Sequence, residues 1–384
     1  MGGGKRKGRG KSKKKPSPEQ ILASRYIHDW VFREDRDSTP PAGHRPVFEF
    51  HCHSKCSDGF LSPLSVVQKA HKRGVKVLAL TDHDTMAGIP EAMEAANKLG
   101  ILIIPGVEIS SLYSEELNNL LTSIRSGRVL RSKDMLAKLN KLKLPLNWEH
   151  IVKIAGEGVS PGRLHVARAM VQAGHVENLK QAFNKYLYDG GPAYAKGSEP
   201  SAEVVVELIA STGGVAALAH PWALKNPAAV IRSLKAAGLH AMEVYRSDGK
   251  VDGFGELADL HSLIKLGGSD FHGRGGNDES ELGSVNLPLV SIYRFLKLAR
   301  PIWCNASKTI LQSFAEEPSS QRLEKLTIFG RPGGCCCGGQ VVDLCLSSWL
   351  MKEEGTEAEF DAIRLKLSQT VISNGEIQLP IATH

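Results

Sequence analysis

Short apolar runs alternate with amphipathic stretches along this chain, and one run after another ends in His, Asp or Glu. Val47–Cys52, Val75–Leu80, Ile101–Pro105, Val215–Ala219, Ala241–Tyr245 and Lys265–Gly268 read as buried strands, with a further strand expected at Gly283–Leu287. Between them, Leu64–Arg73, Ile89–Lys98, Ala202–Thr212, Ala228–Ala237, Gly253–Leu263 and a stretch near Ile292–Ala299 read as helices. Ser62-Pro63 supplies a cap residue and a proline at the first helical position, and Gly74 closes that helix. Strands that are apolar along their whole length and separated by helices predict parallel pairing through helical crossovers, hence an α/β fold. From 114 to 187 the rhythm changes. Glu116–Ile124, Lys133–Leu139, Trp148–Ala155, Leu164–Ala173 and Leu179–Tyr188 all read as helices, which predicts a helical insertion. Ser17–Arg33 is expected as a peripheral helix, and Ala358–Leu367 is the last amphipathic piece.

The ends of the apolar runs carry the chemistry. His51 and His53 stand two apart on an extended segment, where side chains two apart point to one side, so both rings can converge on one ion. Asp58 follows in the next loop, and Thr81-Asp82-His83-Asp84 follows the second run. Glu108 follows the third run, His220 the run at 215–219, and Ser269-Asp270-Phe271-His272 the run ending at Gly268. Parallel strands joined by helices gather their carboxyl ends on one rim, so residues far apart in sequence share a cleft there. Imidazole and carboxylate donors without thiolates suit Mn, Zn or Fe. Clustered cations activate water, orient a phosphate and neutralise its developing charge, so the pattern points to phosphoester hydrolysis.

Composition removes several alternatives. No stretch approaches 18 uncharged apolar residues, so nothing reads as membrane-spanning and no membrane partner is expected. The seven Cys do not form a disulfide framework, and Cys335, Cys336 and Cys337 are contiguous rather than spaced as zinc ligands. The net charge of +7 is concentrated in residues 1–15, which hold eight Lys/Arg and no acid, leaving the rest near neutral. That basic tail reads as disordered: a nuclear-entry signal, a weak nucleic-acid tether or a solubilising arm. Without an apolar leader, the expected location is cytoplasmic or nuclear. Aromatic residues are sparse at 6%, with no aromatic and cationic run that would stack bases.

Phe50-His51-Cys52-His53-Ser54, Ser57-Asp58-Gly59, Leu80-Thr81-Asp82-His83-Asp84-Thr85, Pro105-Gly106-Val107-Glu108-Ile109-Ser110, Leu218-Ala219-His220-Pro221 and Gly268-Ser269-Asp270-Phe271-His272-Gly273 form one set. Over roughly residues 47–300 this set resembles the polymerase-and-histidinol-phosphatase (PHP) superfamily. Gly162-Arg163-Leu164-His165-Val166-Ala167-Arg168, and Lys185-Tyr186-Leu187 with Gly190, resemble its TrpH/YciV-like branch of metal-dependent phosphoesterases and 5'-3' exoribonucleases. The resemblance implies a distorted seven-stranded (β/α) barrel with a helical insertion. The corresponding division is a tail and linker at 1–46, barrel at 47–113, insertion at 114–200, barrel at 201–300 and an extension at 301–384.

The resemblance further implies that His51, His53 and Asp270 hold a first ion, with Glu108 bridging to a second that His220 also binds. Asp58, His83 and His272 would hold a third. Asp82 and Asp84 would orient ligands or water, with His165 as a further catalytic candidate, and Arg163 and Arg168 would grip a non-scissile phosphate. Manganese is the expected cofactor, at two or three divalent ions per chain, with zinc, iron and magnesium as alternatives. The implied activity removes the 5' phosphate of nucleoside 3',5'-bisphosphates or trims short RNA from 5' to 3', so the expected partner is a nucleotide or short RNA.

One departure stands after Glu108. Family members carry another His in a strand shortly downstream, whereas here Ile109-Ser110-Ser111-Leu112-Tyr113 leads straight into the helical stretch and the next His is His150. A ligand of the second ion and one barrel strand are therefore expected to be missing, with water or His150 standing in. Two competing functions remain: a small-metabolite phosphatase such as histidinol phosphatase, and a catalytically impaired nucleic-acid-binding or regulatory protein. The Arg163–Arg168 motif argues against the first.

Overall fold

The computed structural model describes residues 16–32, 46–109, 117–156, 158–196, 201–250, 253–276 and 279–319. It also describes short C-terminal pieces at 322, 336–337, 342–343, 358–368, 371–373 and 376–378. The basic run 1–15, most of the linker before Pro46, the segment 110–116 and Cys335 lie outside the described residues.

Two three-stranded parallel sheets form the centre. The first has the order β1 (Val47–Glu49), β2 (Val75–Leu80), β3 (Leu102–Pro105). The second has the order β4 (Ala217–Leu218), β5 (Ala241–Glu243), β6 (Ile264–Leu266). Helix α1 (Pro18–Val31) precedes β1, and α2 (Pro63–Lys72) and α3 (Ile89–Leu99) return the chain between the first three strands. The insertion comprises α4 (Leu117–Lys141), α5 (Trp148–Ala155), α6 (Arg163–Gln172) and α7 (Leu179–Ala182), which continues as a π-helical turn at Phe183–Leu187. Then come α8 (Ala202–Ser211), α9 (Pro227–Ala236), α10 (Phe254–Leu260) and the long α11 (Leu289–Glu316). A small antiparallel sheet of β7 (Cys336–Cys337), β8 (Val371–Ser373) and β9 (Glu376–Gln378) and helix α12 (Ala358–Leu367) follow.

Local chemistry explains the boundaries. The Ser62 hydroxyl accepts the Ser65 amide at the start of α2, and Gly100 ends α3 at φ 64°, a conformation that spares glycine the Cβ clash. On β2 the period of two sends Leu78 and Leu80 beneath α2 and α3, against Val66, Val67, Ala70, Ala92 and Ala96. Val77 and Ala79 face the opposite cluster, with Phe48, Ile104, Ala241 and Leu266. Each fully buried Leu, Ile or Phe stabilises this arrangement by about 1.5–3 kcal/mol relative to exposure. The insertion has a core of its own, built on Met135, Leu139, Ile151, Val166, Met170 and Leu187.

The two sheets meet beyond the ends of β1 and β6. Cys52 bridges Phe271 in parallel, the His53 amide donates to the Phe271 carbonyl at 2.8 Å, and the Asp270 amide donates to the His51 carbonyl at 3.0 Å. All six strands therefore run in one direction, and the segments bearing His51, His53, Asp270 and His272 emerge side by side.

Several expectations are corrected. Helix α1 is not peripheral, because Ala23, Ile27 and Trp30 are buried and Ile27 and Trp30 join the inner cluster beside Ile292, Phe295 and Ala299 of α11. The Arg300 guanidinium, itself buried, donates to the Tyr26 hydroxyl at 2.8 Å across that contact. Gly283–Leu287 forms turns and no strand, yet Val285 and Leu287 still reach the inner cluster. The helix expected near Ile292–Ala299 runs instead for 28 residues through Pro301. Glu116–Ile124 and Lys133–Leu139 are replaced by the single α4, which continues through Gly127. Packing overrides a helix-weakening residue at both places. Among the described residues, no helix is long and apolar enough to cross a membrane.

Candidate metal centre

The eight expected ligands converge at the carboxyl ends of the strands. His51 Nε2 lies 3.1 Å from His53 Nε2, 3.2 Å from Glu108 Oε2 and 3.5 Å from Asp270 Oδ1. His53 Nε2 lies 3.2 Å from the same Glu108 oxygen and 3.3 Å from the same Asp270 oxygen. Around an ion bound at about 2.1 Å, neighbouring ligand atoms stand about 3.0–3.4 Å apart, so these four atoms fit one ion. The other Glu108 oxygen faces His220 Nε2 at 3.1 Å. Asp58 lies 3.3 Å from His272 Nε2, 3.7 Å from His53 Nδ1 and 3.8 Å from His83 Nε2. Among the described residues the groups able to hold an ion are His51, His53, Glu108 and Asp270; His53, Asp58, His83 and His272; and His51, His220 and Glu243.

Unsatisfied atoms point the same way. His53 Nδ1, His83 Nδ1, His220 Nε2 and Asp58 Oδ1 are buried without a hydrogen-bond partner. Such orphaned groups cost free energy unless something else meets them, and a cation would meet His83 Nδ1, His220 Nε2 and Asp58 Oδ1. Charge agrees as well. Burial would lower His53, but hydrogen bonds to Asp270 and Glu108 raise it to about 9. Burial acts likewise on His51 and is outweighed by Glu108 and Glu243, which raise it well above the usual value. Burial would raise Asp270, yet His53 and the charges of His51 and His272 bring it to about 2. Burial is again outweighed at Glu108 and Asp58, both held well below the carboxylate range by their histidine neighbours. The carboxylates thus draw protons onto His51 and His53 that a divalent ion would replace. Burial depresses His83 to about 4, leaving it neutral and able to ligate.

Backbone strain concentrates here. Asp84, His220 and Asp270 adopt φ of 54°, 33° and 53°, a region that costs a non-glycine residue about 1–3 kcal/mol. Gly268 permits the approach of the two sheets, since a Cβ there would lie 2.3 Å from the His51 Cβ.

A cleft of about 570 Å³ opens over the cluster. Asp58, His83, Glu108, His220, Asp270 and His272 line its floor, while Arg125, Arg128, Arg131, Arg163, Lys180 and Arg274 supply cations around it. Arg163 faces the cleft, held by Asp189 at 2.6 Å. Arg168 does not line it: its guanidinium donates to the Asp58 carbonyl at 2.7 Å and stacks on Phe60 at 3.9 Å, fastening the ligand loop. Asp82 likewise serves that loop, accepting from the Ser54 amide at 2.7 Å and the Ser54 and Ser57 hydroxyls at 2.6 and 2.7 Å. Asp84, fully buried, pairs with Arg128 at 2.7 Å. His165 lines the cleft. Its Nδ1 accepts the Gly162 amide at 3.0 Å, so Nε2 carries the proton, and that nitrogen is buried without a partner. Burial and the Arg168 charge lower its pKa to about 4. His150 does not replace the missing histidine: it sits on α5 with Nε2 2.7 Å from the Gln172 amide oxygen.

The sequence reading missed Glu49, Glu243, Glu279 and Arg128. Glu49, wholly buried, accepts the amides of His51, Ser269 and Gly283. Glu279 accepts those of His272, Gly273 and Gly275. Glu49 and Glu243 left one signal, an acid inside an otherwise apolar strand. Arg125, Arg128 and Arg131 left another, a cationic stripe at three-residue spacing on one helix.

The PHP domain signature matches residues 49–187. A 3',5'-nucleoside bisphosphate phosphatase of Chromobacterium violaceum is 32% identical over 288 residues, covering 69% of this chain and 98% of that protein. The chain belongs to the PHP family. A 5'-3' exoribonuclease of Haemophilus influenzae is 36% identical over 250 residues, covering 59% of this chain and 89% of its own length. Among solved structures, an amidohydrolase from Chromobacterium violaceum with bound sulfate and no metal superposes with a TM-score of 0.59 at 32% identity. That likeness covers 66% of this chain and 96% of the other.

Proposed function

We propose that this PHP protein is a divalent-metal-dependent phosphoesterase that removes the 5' phosphate of nucleoside 3',5'-bisphosphates or trims short RNA from its 5' end. The observation that carries this is the stacking of one site on another. The His and carboxylate cluster floors the cleft that the Arg residues surround, so a scissile and a neighbouring phosphate can be held together. The relatives described as bisphosphate phosphatase and exoribonuclease, and the sulfate on the amidohydrolase, support the same reading.

His51, His53, Glu108 and Asp270 would hold the first ion, Glu108 and His220 the second, and Asp58, His83 and His272 the third, with manganese the favoured metal. When bound, such ions supply Lewis acidity and activate water. The protein does the positioning. Arg163, braced by Asp189, anchors a non-scissile phosphate through its planar fork. Neutral above about pH 4, His165 offers its Nε2–H to a phosphate oxygen, the role its locked tautomer leaves open. Arg168 and Asp82 hold the loop from which Asp58 projects. The two sheets are read as arcs of a PHP-type (β/α) barrel joined by the Cys52–Phe271 bridge, with no strand between β3 and β4 among the described residues. The insertion, from about residue 114 to 200, forms the cationic wall.

The test is product identification by mass spectrometry. Manganese-loaded protein meets 3',5'-bisphosphoadenosine and short 5'-phosphorylated RNA, beside Asp270→Asn. Orthophosphate with 3'-AMP, or successive mononucleotides, formed only with Asp270 intact, supports the proposal. Folded, metal-loaded protein that turns over neither substrate overturns it. A small metabolite such as histidinol phosphate needs no cationic wall and is expected to be a poor substrate.

A further inference from the structure

Glu243 sits at the end of β5, buried, and its two oxygens serve two different ligands. Oε1 accepts from His51 Nδ1 at 2.9 Å, and Oε2 accepts from the His220 backbone amide at 2.8 Å. The first bond places the ring proton of His51 on Nδ1. That leaves the Nε2 lone pair facing His53, Glu108 and Asp270, as a ligand of the first ion needs. The second bond holds His220 at its strained φ of 33°. There its ring stacks 5.1 Å from that of His51, and its Nε2 faces Glu108. One carboxylate thus orients a ligand of the first ion and the only histidine that faces the second ion's side of Glu108 among the described residues.

We infer that Glu243 is a positioning residue that couples the first two ion sites, fixing the His51 tautomer and the His220 backbone so that both ions bind as a unit. Because His220 is the histidine that faces that side of Glu108 among the described residues, it carries much of the second site and the coupling matters more. Ligating an ion directly is the rival role for Glu243, and there it would share the lone pairs of oxygens that already accept two N–H bonds. The inference rests on reading the cluster as a metal centre but needs no substrate.

Glu243→Gln is close to isosteric yet cannot reproduce both bonds. Its NH₂ must face either the His220 amide, which loses its acceptor, or His51 Nδ1, which then turns its proton toward the first ion. Loss of a carboxylate behind a ligating histidine typically lowers metal affinity by about 10–100-fold. The experiment uses the full chain loaded with zinc, which is diamagnetic, followed by imidazole ¹⁵N NMR and chelator-competition titration. Expected are a protonated, hydrogen-bonded His51 Nδ1 in the wild type, and in Glu243→Gln a fall in affinity of about that size with at least one ion lost per chain. An unprotonated His51 Nδ1 in the zinc-loaded wild type overturns the inference, and that measurement stands even if the variant does not fold. A folded Glu243→Gln that binds as many ions as tightly also overturns it, while leaving the metal-centre reading intact. Wild-type protein that binds no zinc or manganese overturns both.

Discussion

Substituting Gly268 by alanine tests whether the two sheets must touch for the metal centre to exist. The added Cβ would lie 2.3 Å from the His51 Cβ, 2.5 Å from its amide nitrogen and 2.8 Å from its Cα. Carbon atoms pack at about 3.5–4.0 Å, so the two segments must part by roughly 1 Å. The methyl meets the Cβ and backbone atoms of His51, none of which a rotamer change moves. The bond from the Asp270 amide to the His51 carbonyl, now 3.0 Å, must stretch, and His51 must move away from Asp270. Metal sites tolerate about 0.2 Å of ligand displacement, a fraction of that shift. Overpacking of this kind costs about 1–3 kcal/mol, and three contacts with His51 atoms that no side-chain rotation can move place Gly268→Ala near the upper end. Urea unfolding of the metal-free protein is expected to show that loss. Chelator competition with manganese or zinc is expected to show at least about a hundredfold weaker binding at the first site. A Gly268→Ala protein within threefold of wild-type affinity and unchanged in stability would refute the steric argument.

Arg128→Met leaves Asp84 buried without its guanidinium partner and is expected to cost about 3 kcal/mol. Pairing it with Asp84→Asn should recover much of that in a double-mutant cycle read by urea unfolding, and strict additivity would sink the argument. His165 carries a pH signature: its folded pKa of about 4 lies below the ordinary 6.5, so the unfolded chain binds the proton more readily. The stabilisation is present above pH 6.5 and is lost as pH falls through 4, a total of about 3 kcal/mol. His165→Leu should flatten that part of the unfolding free energy between pH 7 and 4, and an unchanged slope would contradict the assignment. Metal binding should release protons, because His53, raised to about 9, must lose its proton to ligate. Calorimetry in buffers of different ionisation enthalpy counts those protons, and affinity should climb with pH up to about 9. Arg163→Ala should weaken the preference for a 3'-phosphorylated substrate while leaving metal content unchanged, measured as kcat/KM for matched substrates.

Much of the molecule was legible in the sequence because its causes are local. Val75–Leu80, Trp148–Ala155 and Ala358–Leu367 form over the residues that their periodicity and caps predict. The eight candidate ligands were legible because each directly or closely follows an apolar run, and parallel strands gather their ends on one rim. What the sequence could not show depends on residues brought together by packing. Helix α1 looked peripheral until α11, over 250 positions away, gave Trp30 and Ile27 a surface to cover. Glu243 looked like one acid in a strand until it met His51, 192 residues earlier. Arg168 suited a phosphate, but its neighbour in space is the Asp58 carbonyl, and His150 turned to Gln172 instead of the ions. Sequence alone therefore determined most of the elements and which donors cluster, since those follow from periodicity, capping and strand direction. Tertiary structure decided which of the remaining polar groups orient the donors, because a buried carboxylate or guanidinium must bond whatever N–H or carbonyl the packing sets within about 3 Å of it.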